Sequence, residues 1–400
     1  MPSPGKPVCA PDNAGLTLPK GFCALIVADS LQRPRHMIVL PNGDLFVSSL
    51  RSGVLALRDT SGTGHADVIE DWKGGFPSSE VAIRNGYLYA EASTAILRFP
   101  IKDGSLTPSG PADTLISGFP AGGNHTTKTF VLAGDGTIYV DIGSATNSCQ
   151  EKDRSLESPG VNPCVERDTR AGIWAFRYDR IGQKASDGTR FGAGIRNGVA
   201  LALDPVDHTL YAMQHGRDQL FANWPKFFDA AKSAETPAEE LFHVTKGDDF
   251  GWPYCYYDRQ LNKKVLAPEY GGDGKTVGRC ANHKSNVASF PGHWAPNGLA
   301  FNTGKAFPAR YRDGVFIAFH GSWNRAPLPQ AGYNVVFQPM KRGKATGKYE
   351  VFAHGFMPAT PTPEVKGHRP TGLTFGPDGS LYVADDLGGR IYRIIYTGAK

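Results

Sequence analysis

Thr129–Gly143 reads TFVLAGDGTIYVDIG: an apolar strand, a turn at Asp135-Gly136, and a second strand carrying Ile-Tyr-Val. β-branched and aromatic residues fill both arms, as a pleated, half-buried surface prefers. The theme returns five more times: MIVLPNGDLFVSS at Met37–Ser49, EVAIRNGYLYAEA at Glu80–Ala92, NGVALALDPVDHTLYAMQHG at Asn197–Gly216, NGLAFNTGKAFPARYRDGVFIAFHG at Asn297–Gly321 and TGLTFGPDGSLYVADD at Thr371–Asp386. Asn-Gly or Asp-Gly stands in the turn at Asn42, Asn85, Asp135 and Asp378, which suits the positive backbone dihedrals of two-residue hairpins. Early repeats recur about every 45 residues, the length of a four-stranded propeller blade. Six repeats predict an all-β fold, a six-bladed β-propeller with long loop insertions. Each blade buries its apolar face against the next, so residues 1–400 are expected to form one domain. The insertions fall around Cys149–Cys164 and Leu220–Lys284, and PKFFDAAKSAETPAEELF (Pro225–Phe242) in the second suits a short helix.

Composition agrees. An apolar content of 40% supplies a core and excludes a disordered chain. No apolar run approaches the ~20 residues of a membrane helix. The net charge of +5 is spread along the chain. Its densest cluster, Lys341-Arg342-Gly343-Lys344, is too short for the basic stripe of a nucleic-acid protein. Neither a nucleic-acid nor a membrane partner is expected. The six cysteines fall into three local couples, and the economical expectation is Cys9–Cys23, Cys149–Cys164 and Cys255–Cys280. No CxxC occurs to argue for zinc or a redox dithiol. Three disulfides imply an oxidising setting, so the chain is expected to be secreted and extracellular. Residues 1–8 read as a linker-like stub: Met1-Pro2-Ser3-Pro4-Gly5 lacks the basic start and apolar core of a secretion signal. The expectation is a fragment without its signal and without its neighbouring domains.

Loops at the ends of innermost propeller strands converge on the axis, so the residues bordering each repeat are candidates for one pocket. Before the first strands stand Arg35, Ser79-Glu80, Asn124-His125, Arg196-Asn197, His293-Trp294 and His368-Arg369. After the second strands stand Arg51, Gln214-His215-Gly216-Arg217-Asp218 and His320-Gly321-Ser322-Trp323-Asn324-Arg325. Cationic and polar residues recur at these borders, which surface loops alone do not require.

Gly123–Gly143, Ile195–Pro205, Phe319–Arg325 (FHGSWNR) and Gly367–Asp385 together resemble the glucose/sorbosone dehydrogenase superfamily. FHGSWNR and the three cysteine couples most resemble its secreted fungal branch, the quinone-dependent pyranose dehydrogenases. The resemblance implies a propeller that binds pyrroloquinoline quinone (PQQ) and calcium on its axis. It further implies oxidation of the anomeric carbon of a pyranose, with hydride passing to the quinone. Three buried cofactor carboxylates would account for the cationic axis.

On that resemblance His125 is the general base, since an imidazole titrates near neutrality. Arg196 contacts the reactive quinone oxygen, where a fixed positive charge stabilises a developing oxyanion. Asn197 holds the cofactor edge, and Arg35, Arg51, Asn324, Arg325 and Arg369 are candidates for its carboxylates. Asn124, Trp294 and Trp323 are placed at the substrate. The carbonyls of Gly216 and Arg217, with Asp218, are placed at calcium, which prefers hard oxygen ligands. Asn124 departs from the Asp found beside the base in some bacterial relatives. Asn124-His125-Thr126 is also a glycosylation sequon. A glycan would block the pocket, so glycopeptide mapping is expected to find Asn124 bare; a glycan there overturns the placement.

The implied partners are a sugar and an electron acceptor such as a haem b cytochrome domain, a copper oxygenase or a small quinone. The chain is expected to act as a monomer. Two other readings use the same fold: a calcium-dependent lactonase or esterase, which would need metal-binding carboxylates and Asn on the axis, and a non-catalytic binding propeller.

Overall fold

The computed structural model describes residues 7–357 and 367–398, so residues 1–6 of the expected stub lie outside the described residues. Six mainly antiparallel sheets surround an axis, two of them extended by a short parallel strand, Gln183–Lys184 and Asp248–Asp249. Their innermost strands are Pro34–Val39, Val81–Arg84, Phe130–Leu132, Ala200–Leu203, Pro296–Phe301 and Pro370–Phe375. Each is followed outward by its hairpin partner, so each repeated motif is the inner half of one blade. Blade six closes the ring. Its outermost strand is the N-terminal Phe22–Ala28, paired with Arg390–Tyr396 in the register Phe22↔Tyr396 to Ile26↔Tyr392. Joining both ends of the chain in one sheet leaves the ring without an open blade edge at the joint.

The hairpins differ from the two-residue expectation in all but one case. Asn85 (φ 51°) and Gly86 (φ 76°) form a two-residue turn between the paired Arg84 and Tyr87. At Pro41-Asn42-Gly43 and Pro377-Asp378-Gly379 the loop has three residues. Gly43 N donates to Leu40 O and Gly379 N to Gly376 O, and only the glycine is left-handed. Proline fixes a negative φ at the first loop position, which selects a type I turn followed by a left-handed residue. Gly134-Asp135-Gly136 closes in the same length, with Gly136 left-handed.

Apolar faces meet between blades. Between blades five and six, Phe22 packs edge-on against Phe307 and Phe352 at ring separations of 4.8 and 5.0 Å, the geometry that aromatic quadrupoles favour. The insertions lie where they were expected. The second carries the helix Ala230–Glu235 and the hairpin Cys255–Asp258 with Lys263–Leu266. All three cysteine couples form disulfides. Cys149–Cys164 and Cys255–Cys280 pack in one buried cluster with Trp252 and Tyr254, and Cys164 N donates to Tyr254 OH at 3.0 Å. The two insertions therefore brace each other. Replacing Cys149 and Cys164 by serine is expected to lower stability by about 3 kcal/mol, the chain-entropy value for a loop of this length. Urea denaturation measures it, and an unchanged midpoint contradicts the bracing role.

Candidate active site

His125 lies on the run that enters the inner strand of blade three. It packs over Gly143, where an added Cβ would stand 2.6 Å from His125 Cβ. Gly143→Ala is therefore expected to displace the imidazole and cost about 10²-fold in turnover with the sheet circular dichroism unchanged. Full activity in that variant contradicts the packing argument. His125 Nδ1 lies 2.9 Å from Ser144 O and 3.0 Å from Ser144 Oγ. A carbonyl only accepts, so Nδ1 carries the hydrogen and Nε2 keeps its lone pair. Burial, and next the charge of Arg196, holds this imidazole well below its ordinary pKa. It is neutral at pH 7.

Arg196 is 3% exposed. Its Nε donates to Asn147 O (3.0 Å), Nη2 to Asn147 Oδ1 (2.9 Å) and Asp218 Oδ2 (3.1 Å), and Nη1 to Gly216 O (2.9 Å) and His215 O (3.4 Å). The planar fork thus fixes one orientation. Asp218 also accepts from Arg154 Nη2 (3.1 Å) and Asn324 Nδ2 (3.0 Å), with His293 Nδ1 at 3.6 Å. Burial opposes its ionisation, but Arg196, His293 and Arg154 together hold its carboxyl well below the usual range. Glu239 differs. It accepts from Gly216 N (2.9 Å) and Ala295 N (3.2 Å), and burial pushes it up to about 7. These groups surround a cavity of about 120 Å³ that is also lined by Asn197, His215 and Trp323. Trp323 is 56% exposed at its edge.

A second polar group spans blades five, six and one. Arg35 Nη1 donates to Asp386 Oδ2 at 3.0 Å, and His320 Nε2 donates to Asp386 Oδ1 at 2.8 Å. Arg369 makes longer contacts: Nη1 to His320 Nδ1 and Nη2 to Ser322 O, both 3.3 Å. The buried Nε of Arg35 has no partner among the described residues.

The structure therefore brings His125, Arg196, Asn197, Gly216, Asp218, Trp323 and Asn324 to one pocket, with Arg35 and Arg369 around the axis. Four expected residues are directed elsewhere. The Arg325 guanidinium is used on Ala234 O, Gly292 O and Glu235 of the insertion. The Arg217 side chain pairs with buried Glu269, leaving only its backbone near the pocket. Trp294 packs edge-on against Phe319 at 5.2 Å inside blade five. Arg51 is exposed on the loop after its strand. Asn124 is exposed and donates to Asp153 Oδ2 at 2.9 Å. Sequence reading did not single out Asn147, Arg154, Glu239 or Asp386. Asp386 borders a second strand, so the border rule reaches it. Asn147 and Arg154 lie in an insertion, and Glu239 starts a third strand, where no repeat marks them.

The TrAA12-like family model matches residues 16–397. The chain belongs to the TrAA12-like family. This TrAA12-like chain is 22% identical, over 96% of its length and 91% of the relative's, to the pyrroloquinoline quinone-dependent sugar dehydrogenase of Hypocrea jecorina. It is 25% identical over 56% of its length to the pyrroloquinoline quinone-dependent pyranose dehydrogenase of Coprinopsis cinerea. It is 30% identical over 51% of its length to an uncharacterised protein of Borreliella burgdorferi. These last two matches span only 34% and 48% of the respective relatives. Its fold matches the holo PQQ domain of pyranose dehydrogenase from Coprinopsis cinerea, with a TM-score of 0.76, 19% identity and coverage of 98% of this chain and 99% of that one. It also matches the calcium structure of the Trichoderma reesei family AA12 enzyme, with a TM-score of 0.77, 19% identity and coverage of 96% and 97%.

The donor set of this TrAA12-like site suits an anionic group together with a hard cation. Arg369 has only long hydrogen bonds and Arg35 Nε has none, so both have donors to offer carboxylates. Gly216 O and the Glu239 carboxyl are hard oxygen donors of the kind that calcium prefers.

Proposed function

We propose that this chain is a PQQ- and calcium-dependent sugar dehydrogenase that oxidises the anomeric carbon of a pyranose. The observation that carries the reading is the pairing, in one pocket, of a neutral imidazole with a guanidinium immobilised by five hydrogen bonds. Bound PQQ would supply the electrophilic quinone that accepts hydride. His125 Nε2 takes the proton of the anomeric hydroxyl. Arg196 provides positive charge at the pocket floor, oriented by Asn147 and balanced by Asp218. Arg35 and Arg369 would hold cofactor carboxylates, and Asn197 its edge. Gly216 O and Glu239 would hold calcium, with Asp218 beside them. Trp323 offers a stacking face to the sugar ring, and Asn124 a hydrogen bond at the rim.

The three disulfides support an extracellular setting, and among the described residues no helix is long and apolar enough to cross a membrane. The unit acts as one monomeric catalytic propeller. Electrons leave to a haem b domain, a copper oxygenase or a small quinone. The metal-lactonase reading is less well supported, because Asp218 is already surrounded by Arg196, Arg154 and Asn324. The test adds PQQ and calcium to the protein and assays sugars with an artificial electron acceptor. Tight PQQ uptake with sugar-dependent turnover is expected; absence of PQQ binding overturns the reading.

A further inference from the structure

The Cys149–Cys164 disulfide closes a loop that is also tied from within. Buried Gln150 donates from Nε2 to Ser155 O and Ser158 O, both at 3.2 Å, and its Oε1 accepts from Arg154 N at 3.0 Å. Glu157 N donates to Asn223 O at 2.8 Å, which anchors the loop to the second insertion. At the tip of this frame stand Asp153 and Arg154. Arg154 holds a φ of 55°, a left-handed value that a residue with a Cβ adopts only at a cost.

The two tip side chains serve different partners. Asp153 Oδ1 accepts from Asn147 N at 2.9 Å, and Oδ2 accepts from Asn124 Nδ2 at 2.9 Å. Arg154 Nη2 donates to Asp218 Oδ2 and Nη1 to Gln219 Oε1, both at 3.1 Å. Asn124 immediately precedes His125. Asn147 and Asp218 are acceptors of the Arg196 guanidinium. They also bond each other, Asp218 N to Asn147 Oδ1 at 2.9 Å and Asn147 Nδ2 to Asp218 O at 3.0 Å. Three of the four tip hydrogen bonds therefore end on a residue that flanks the base or holds the guanidinium. Neither tip side chain lines the cavity itself, so any effect on the site runs through these neighbours.

We propose that Asp153 and Arg154 are positioning residues: the loop tip clasps the run that carries His125 to the Asn147–Asp218 pair that orients Arg196. The proposal rests on the catalytic reading of His125 and Arg196. The repeats bring the backbones of blades three and four together, with Ser144 N donating to Arg196 O at 2.7 Å. They do not set the direction of a guanidinium, which follows its acceptors. Asn147 is fully buried, so its N–H needs an acceptor inside the protein, and Asp153 is that acceptor. An ionised carboxylate makes the bond charge-assisted. A loop serving only to brace the insertions would have no need of a tip aimed at these residues.

The test compares Asp153→Ala, Asp153→Asn and Arg154→Ala with Lys152→Ala, a control at an exposed loop position. The first readout is the heteronuclear NMR signal of the Arg196 guanidinium in the protein without PQQ, assigned by its loss in Arg196→Lys. Rotation about its Cζ–Nε bond is expected to be slow in the wild type and in Lys152→Ala. In Asp153→Ala and Arg154→Ala it is expected to be about tenfold faster, the kinetic equivalent of one lost hydrogen bond to a charged group. The second readout is the kinetics of the protein loaded with PQQ and calcium. In the same two variants kcat is expected to fall about tenfold with the sugar KM nearly unchanged, because orientation is lost and binding is not. Asp153→Asn keeps an oxygen for Asn147 N and is expected to recover most of kcat. A rigid Arg196 signal with full kcat in Asp153→Ala overturns the proposal. So does a kcat loss that only follows the thermal midpoint and that asparagine does not rescue. Loosening of Arg196 in the variants of a protein that takes up no PQQ upholds the clasp and overturns the catalytic reading alone.

Discussion

His125→Ala is expected to lower sugar turnover of the PQQ- and calcium-loaded protein by about 10²–10⁴-fold, the range that a positioned general base contributes. PQQ uptake is expected to stay intact, because the cations that would hold its carboxylates, Arg35 and Arg369, lie on other blades. The direction of the pH dependence follows from the environment of the imidazole. Burial and Arg196 lower its pKa, so the neutral, proton-accepting form persists to more acid pH than in a free histidine. Turnover should hold across neutrality and fall only as pH drops through that depressed value. Stopped-flow reduction of the loaded protein against pH measures both effects. A variant that retains normal turnover removes His125 as the base, and an acid limb at or above the ordinary histidine value removes the environmental argument.

Arg196→Lys is expected to cost about 10²-fold, the scale of a catalytic group displaced by about 1 Å from its productive position. Lysine keeps the charge and can still pair with Asp218. It cannot reproduce a planar fork that joins Asn147, Gly216 and Asp218 at once. Asn147 Oδ1 keeps the Asp218 N–H as a donor, so the loop retains part of its support and the variant is expected to fold. The loss should therefore fall on kcat more than on the thermal midpoint. Arg196→Ala adds a stability loss, because Asp218 keeps Arg154 but loses its most buried partner. Equal kcat in wild type and Arg196→Lys refutes the orientation argument.

Much of the site was legible because the repeats are local. A strand of period two and a Gly-containing turn are specified by neighbouring residues, and six copies reveal where the chain returns to the axis. That rule alone gathers His125, Arg196, Gly216, Asp218 and Asn324, which the structure places around one cavity. Glu239 was not legible. Its carboxylate belongs to a third strand, and only the folded chain shows that Gly216 N and Ala295 N reach it. Arg325 shows the opposite case. It stands at a blade border in a promising motif, yet its acceptors Ala234 O and Glu235 come from an insertion some 90 residues earlier.

From the sequence alone follow the propeller, its six blades and the cysteine couples, because hairpins and short loop closures are decided by residues near one another in the chain. Tertiary structure decided the closure of the ring by the N-terminal strand and which cations face the axis. A guanidinium points where its acceptors are, and here those acceptors lie on other blades and in the insertions. The backbone pattern is a local property, whereas the direction of a long charged side chain depends on electrostatic partners that only folding brings near.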